Sequence, residues 1–387
     1  MKKKNYYFDN STTSFPKPKE VAEEMSNFII NIGGTYGRVN TERGKETTKK
    51  IEECRESLAN ILGVKNSSNV IFTSGATRSI NDILIGLDLH DTKVLISSLE
   101  HNAVLRPIYK LSKNKNVEYQ LIPSIKNNSE NGLIDIDKLS NIIKKDKNKI
   151  SLIIVNMESN ISGVIQPIKK IKETIGNIPL LVDATQSIGI KKIEAEKWNI
   201  DFLAFTGHKG LLGPAGTGGF YVKNSKKLKP AYFGGGFGDY YETPYSVPEI
   251  YESGTPNTVG IIGLLAALKN KPDWKINIDD LIETIKEIES MNKYKVIWSK
   301  NKKYQGFLFS ITLKNNDMNM ANLTYKLYND YNIECRYGFH CSFLSHNFYG
   351  NKEGAIRFSF SPYTKKEDLK YLINIYMLKG KKFDAFA

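Results

Sequence analysis

The chain has 387 residues, 40% of them hydrophobic and 25% charged, with a formal net charge of +14. That length accommodates two domains or one large core with a satellite, and no apolar run reaches the roughly 18 residues that a membrane span requires. The positive charge is spread along the chain together with abundant Asn and Ile instead of forming a stripe, so neither nucleic acid nor a membrane is expected as partner.

The start, Met1-Lys2-Lys3-Lys4-Asn5-Tyr6-Tyr7, is basic but leads into a polar strand, not an apolar signal core, and a cytoplasmic protein is expected. Pro16-Lys17-Pro18-Lys19 ends an extended entry. From Glu20 to Ile30 the apolar positions Val21, Met25, Phe28 and Ile29 have helical spacing. After the loop Gly33-Gly34-Thr35-Tyr36-Gly37-Arg38, the residues Ile51, Cys54, Leu58, Ile61 and Leu62 form one face of a long helix that stops at Gly63. Cys54 lies on that face and reads as a small buried hydrophobe.

Strands and helices then alternate. Val70-Ile71-Phe72-Thr73 is a strand and Ala76 to Leu87 a helix; Val94 to Ser97 is a strand and Ala103 to Leu111 a helix. Val117 to Ile122, Leu152 to Val155 and Leu180 to Val182 are further strands, with a helix from Ile136 to Ile143. The one tight basic cluster, Lys144-Lys145-Asp146-Lys147-Asn148-Lys149, falls between helix and strand and reads as a solvated loop. Short apolar runs separated by amphipathic helices predict an α/β protein with a mostly parallel sheet covered on both faces.

A further strand, Asp201 to Phe205, delivers Lys209 into a glycine-rich turn with glycines at 207, 210, 213, 216, 218 and 219, and a second apolar run leaves it. Taken alone, this is either a hairpin with a solvated lysine or a loop wrapped around a flat cofactor. Beyond Gly254-Thr255-Pro256-Asn257-Thr258 the texture changes to a smaller α+β region. Its helices run from Ile261 to Leu268, Ile278 to Met291, Met320 to Tyr331 and Lys365 to Met377, and its strands lie near Lys295, Phe307, Ile333 to Arg336 and Ala355. A large domain over residues 15–263 and a small one from 1–14 with 264–387 are expected.

In parallel sheets, ligands bind beyond the carboxyl ends of the strands. The residues at those ends are Ser74-Gly75-Ala76-Thr77, Glu100-His101-Asn102-Ala103, Glu158-Ser159-Asn160, Asp183-Ala184-Thr185-Gln186 and Thr206-Gly207-His208-Lys209. Lysine, aspartate and histidine at neighbouring strand ends suggest pyridoxal 5'-phosphate (PLP) as cofactor. The Lys209 amine forms a Schiff base with the aldehyde, Asp183 keeps the pyridine nitrogen protonated, and His101 stacks on the ring. Gly75, Ala76 and Thr77 open a helix whose N–H groups receive the phosphate. Beside Asp183 and His101, the Lys209 turn reads as the cofactor loop.

Together, Tyr7-Phe8-Asp9-Asn10, Thr73-Ser74-Gly75-Ala76-Thr77, Glu100-His101-Asn102-Ala103-Val104, Val182-Asp183-Ala184-Thr185-Gln186, Thr206-Gly207-His208-Lys209 and Gly254-Thr255-Pro256-Asn257-Thr258 resemble the cysteine desulfurases of the class V, fold type I PLP enzymes. The resemblance covers nearly the whole chain in order. It implies a large domain with a mostly parallel seven-stranded sheet and a smaller α+β C-terminal domain. Asn160 and Gln186 are implied near the phenolic oxygen, and Thr77, Thr206 and His208 at the phosphate. Thr255 is implied at the phosphate of a neighbouring subunit, hence a homodimer with shared active sites.

Arg336-Tyr337-Gly338-Phe339-His340-Cys341 resembles the segment that carries the nucleophilic cysteine in the sulfur-mobilisation and selenocysteine lyase branch, and Arg357 matches the arginine that grips the substrate carboxylate, with Asn160 beside it. A fork-shaped guanidinium suits that bidentate task. Cys341 is otherwise a small buried residue, but Gly338 and the polar Ser345-His346-Asn347 favour a mobile loop. Cys335 reads as core, and His346 and His90 as loop residues without a role. The expected reaction converts L-cysteine to alanine, with Lys209 moving the α-proton and a persulfide forming on Cys341 for an acceptor protein. No metal site is expected: three cysteines without CxxC spacing give no zinc ligand set.

Three features depart from the family pattern: Ser11-Thr12 after the Asp-Asn pair, Thr364 after Tyr363, and a short segment between Gly260 and Phe307. They leave the substrate open, with a selenocysteine lyase, a lyase for another cysteine derivative or an epimerase as alternatives; a non-catalytic scaffold is a separate alternative, against which the intact Lys209, Asp183 and Arg357 speak.

Overall fold

The computed structural model describes residues 4–127, 129–236, 246–314 and 319–379. After a short strand β1 (Tyr6–Tyr7), seven strands follow: β2 (Val70–Thr73), β3 (Thr92–Ser97), β4 (Val117–Ile122), β5 (Ile150–Asn156), β6 (Leu180–Asp183), β7 (Phe202–Thr206) and β8 (Gly218–Val222). They form one sheet in the order β2-β8-β7-β6-β5-β3-β4. Strands β4, β3, β5, β6 and β7 run parallel to one another, while β8 is antiparallel to both its neighbours. The reversal follows from the Lys209 turn, which joins β7 to β8 as a hairpin with Thr206 opposite Gly218. The expected class, α/β with a mostly parallel seven-stranded sheet and a smaller C-terminal part, is the one observed.

Alternation along the strands fixes which face each side chain covers. On β3, Val94 and Ile96 pack with Ile80, Ile83 and Ile108 from the helices Ala76–Gly86 and Asn102–Asn114 on one side. Leu95 points to the other side, where Leu58 of the helix Glu42–Leu62, Leu139 of Ile136–Asp146 and Leu264 of Thr258–Lys269 complete a second layer. Each helix loses its apolar stripe to the sheet, so both faces of the strands are dry, as a parallel sheet requires.

The C-terminal part carries β9 (Tyr294–Ile297), β10 (Leu308–Leu313), β11 (Ile333–Glu334), β12 (Arg336–Gly338) and β13 (Ala355–Ser359). Four of them make an antiparallel sheet in the order β12-β13-β10-β9. β11 instead pairs in parallel with β1, and Phe8 enters the same apolar core as Ile285, Phe309, Phe358 and Leu372. Thus the first residues of the chain pack with its last third. No helix among the described residues is long and apolar enough to cross a membrane.

Three local expectations change. The single strand expected from Ile333 to Arg336 is split at Cys335, because its two halves pair with different sheets. The Lys144–Lys149 cluster is not a loop: the helix runs on to Asp146, whose carboxylate accepts from Lys93 Nζ at 2.8 Å, and a 3-10 turn follows. Ser345-His346-Asn347 lies in a short helix, Phe343–Tyr349, capped by left-handed Gly350. Leu344 joins the core beside Ile108, Ser345 Oγ donates to Leu99 O, and His346 is 1% exposed. Polar composition suggests a loop there; burial of Leu344, Ser345, His346 and Tyr349 makes a helix.

Candidate active site

The carboxyl ends of β2, β3, β5, β6 and β7 open onto one cavity of about 240 Å³. Gly75 follows β2 with φ +145°, a conformation that favours glycine. A Cβ on Gly218 would lie 2.6 Å from Gly75 Cα, so the helix start packs backbone to backbone against β8. No side chain caps the helix Ala76–Gly86, and Ala76, Thr77 and Arg78 line the cavity, an arrangement that attracts an anion.

His101 caps the next helix: its Nδ1 accepts from Ala103 N at 3.0 Å. That bond places the proton of the neutral ring on Nε2. Burial, then the nearby Lys209 and Arg357 cations, push its pKa down to about 4, against the opposing influence of Asp183. Asp183 ends β6, is 4% exposed, and accepts from Thr185 N at 2.9 Å. Gln186 Nε2 donates to Ser11 O at 3.2 Å.

Thr206 ends β7, and His208 O accepts from Ser14 N at 3.0 Å, which ties the Lys209 turn to the N-terminal segment. A Cβ on Gly207 would meet Thr217 Oγ1 at 2.2 Å, so only glycine lets the turn close. The Lys209 amine is lowered to about 8, first by burial and then by Arg357, with Asp183 and Asp9 opposing. Burial and the Lys209 charge also lower His208, to about 4.

The structure therefore brings Gly75, Ala76, Thr77, His101, Asn160, Asp183, Gln186, Thr206, His208 and Lys209 to one cavity wall. Thr255 is not among them. It lines a neighbouring cavity of about 250 Å³ that shares Ser74, Arg78 and Gly216 with the first. Cys341 is exposed and follows β12, and its carbonyl accepts from Asn102 N at 2.7 Å, which places it next to His101. Cys54 and Cys335 are pushed far up by burial, Cys335 against the C-terminal core as expected.

Arg357 is 2% exposed on β13. Its Nη2 donates to Asp9 Oδ1 at 2.7 Å and Thr12 Oγ1 at 2.9 Å, and its Nη1 to Asn160 O at 3.3 Å. Nε has no partner among the described residues. Arg336 Nη1 reaches the same Thr12 hydroxyl at 3.0 Å. Sequence reasoning expected Arg357 to face a substrate carboxylate and missed that Asp9 already holds it. The Tyr7-Phe8-Asp9-Asn10 motif was the available signal, but nothing in its spacing points to a residue so far along the chain.

Glu100 was also missed. Fully buried, it accepts from Ser97 Oγ at 2.7 Å and Asn156 N at 2.6 Å, and burial raises its carboxyl to about 8. Among the described residues no group of three His, Cys, Asp or Glu side chains is placed to hold a metal ion.

The family described as Aminotransferase class-V matches residues 6–372. A probable cysteine desulfurase of Borreliella burgdorferi is 29% identical, over 95% of this chain and 90% of its own. One of Pyrococcus abyssi is 30% identical over 76% of this chain and 74% of its own. The solved apo structure of a cysteine desulfurase from Thermococcus onnurineus superimposes with a TM-score of 0.86 at 25% identity, covering 97% of this chain and 95% of that one.

Proposed function

Because the chain belongs to the aminotransferase class-V family, we propose that it is a PLP-dependent cysteine desulfurase, converting L-cysteine to L-alanine and holding the sulfur on Cys341 as a persulfide for an acceptor protein. The observation that carries this reading is that an exposed thiol, Cys341, is hydrogen-bonded through its backbone to the residue after His101, while His101 shares a cavity wall with a buried lysine, Lys209.

The donors present fit PLP. A buried amine faces the aldehyde's task, a buried carboxylate the ring nitrogen's, and an uncapped helix start the phosphate's. When bound, that cofactor supplies the aldehyde and the electron sink.

The chain's own residues do the remainder. Lys209, with a pKa of about 8, has an appreciable neutral fraction near pH 7 and takes and returns the substrate α-proton. Asp183, buried at the end of β6, would pair with the ring nitrogen. Neutral His101 offers Nε2–H to the cavity while its Nδ1 is engaged by Ala103. Arg357, with Arg336 converging on Thr12, supplies the cationic corner for a substrate carboxylate. Cys341 Sγ takes the sulfur, so removal and delivery become separate steps.

In this reading, Gly75, Ala76, Thr77, Thr206 and His208 hold the phosphate, and Asn160 and Gln186 lie near the phenolic oxygen. Residues 15–263 form the large domain, and 1–14 with 264–387 the small one. Thr255, off the main cavity, serves the site of a second copy in a cytoplasmic homodimer.

The test is to load the protein with PLP, add L-cysteine, and assay alanine, sulfide and pyruvate. Lys209→Ala is expected to lose the yellow colour of the bound cofactor. Cys341→Ala is expected to keep the colour and lose alanine formation; alanine formed at the wild-type rate would remove Cys341 from the mechanism. Pyruvate without alanine would point to a lyase, and a strong preference for selenocysteine to a selenocysteine lyase.

A further inference from the structure

Cys341 sits in an unusual backbone. Both His340 and Cys341 have positive φ, 48° and 56°, in the left-handed region that side-chain-bearing residues seldom occupy. Ser342 N closes the turn on Phe339 O at 2.9 Å. Such a turn persists only where its surroundings hold it.

One amide holds it on both flanks. Asn160 Nδ2 donates to His340 O at 2.9 Å, and Asn160 Oδ1 accepts from Ser342 Oγ at 2.6 Å. Ser342 is 0% exposed. The same Asn160 lines the Lys209 cavity, and its backbone oxygen accepts from Arg357 Nη1. The residues just before and just after the thiol are thereby tied to a residue of the cavity wall, with Asn102 N on the Cys341 carbonyl as a further tie.

We infer that Ser342 is a positioning residue for the sulfur-capture step: through its bond to Asn160, a residue of the cavity wall, it holds the turn that carries Cys341 in place. An amide end is identified only by its partners. The His340 carbonyl can only accept, so Nδ2 must face it, with its second hydrogen left for whatever the cavity holds; Oδ1 then faces Ser342, whose hydroxyl donates to it. Without the hydroxyl, Oδ1 is left unpaired in a buried place. The residue after the thiol then loses its tie to Asn160, and the turn is left with its ties through the His340 and Cys341 carbonyls.

The inference rests on the reading of Cys341 as the sulfur-taking thiol, but one of its readouts does not depend on the reaction. In the full-length, PLP-loaded protein, Cys341 is alkylated with iodoacetamide and its peptide followed by mass spectrometry, for wild type, Ser342→Ala and Ser342→Thr. Loss of one net hydrogen bond predicts an alkylation rate raised roughly 3- to 10-fold in Ser342→Ala. It also predicts a kcat lowered by a similar factor, with KM for L-cysteine and the cofactor colour unchanged, because Arg357 and Lys209 keep their partners. Ser342→Thr, which keeps the hydroxyl, is expected to restore both rates. Asn160→Asp provides a second variant: it retains the acceptor for Ser342 but removes the donor to His340, and faster alkylation is expected there too. Wild-type alkylation and kcat in Ser342→Ala would overturn the inference, as would a fall confined to KM. A wild-type protein that makes no alanine, with Ser342→Ala still alkylated faster, would sink the assigned reaction and leave this positioning role standing.

Discussion

Arg357 Nη2 lies 2.7 Å from Asp9 Oδ1, across 348 positions of sequence, with the arginine side chain only 2% exposed. The cation expected to receive a substrate carboxylate therefore already carries one of the protein's own. Removing one partner of a buried pair leaves the other charge uncompensated. Asp9→Asn is expected to lower stability by about 3–5 kcal/mol, measured by urea unfolding, and the loss should exceed that of Thr12→Val. An unchanged midpoint would mean that Arg357 does not depend on Asp9.

The depressed pKa of Lys209 sets the pH at which its amine becomes nucleophilic. Capture of PLP by the cofactor-free protein is expected to accelerate as pH rises and to level off above about 8. Asp183 acts on Lys209 in the opposite direction to burial, raising its pKa. Asp183→Asn is thus expected to shift the whole profile to lower pH, followed by absorbance after mixing. A profile that moves to higher pH would mean that Asp183 does not raise the Lys209 pKa.

His101 should carry its proton on Nε2 and stay neutral throughout the physiological range. With burial holding it near a pKa of about 4, nitrogen-resolved NMR of the imidazole is expected to show an unprotonated Nδ1 and no titration above about pH 5. A midpoint near the ordinary histidine value would remove the Ala103 bond from the account.

Glu158 offers a stability test separate from catalysis. Its carboxyl is 1% exposed, Oε2 has no partner among the described residues, and burial raises its pKa to about 8, with Lys191 partly opposing. The folded state then keeps a proton that the unfolded chain releases from the ordinary glutamate value upward. Stability accordingly falls as pH rises toward about 8. Glu158→Gln should remove that slope, leaving a variant more stable than wild type at about pH 9 and little changed at about pH 4. Equal stability of both proteins across the range would show that Glu158 ionises freely where it sits.

Much of the architecture was legible because it is local. Unbroken apolar runs on β3 and β5, and apolar residues at three- and four-residue spacing on the helices around them, record which surfaces must leave water. Strand-end residues were legible for the same reason. Once β2, β3, β5, β6 and β7 were placed in one sheet, Gly75, His101, Asn160, Asp183 and Lys209 had to meet at its carboxyl edge. The antiparallel return of β8 was less legible, since a glycine-rich turn suits a hairpin and a cofactor loop equally well; here it is both.

The sequence by itself determined the sheet, its helical cover and the residue types gathered at one edge, because burial leaves a periodic trace along the chain. Only the tertiary structure decided which polar groups pair. Asp9 with Arg357, and Asn160 with both flanks of Cys341, are separated by well over a hundred residues. A hydrogen bond leaves no period in sequence: the same Ser, Asn or Asp serves equally as a cap, a turn or a clamp until packing brings a partner within reach. The helix Phe343–Tyr349 belongs to the same class, its polar centre Ser345-His346-Asn347 ordered by the surface on which Leu344 and Ser345 dock.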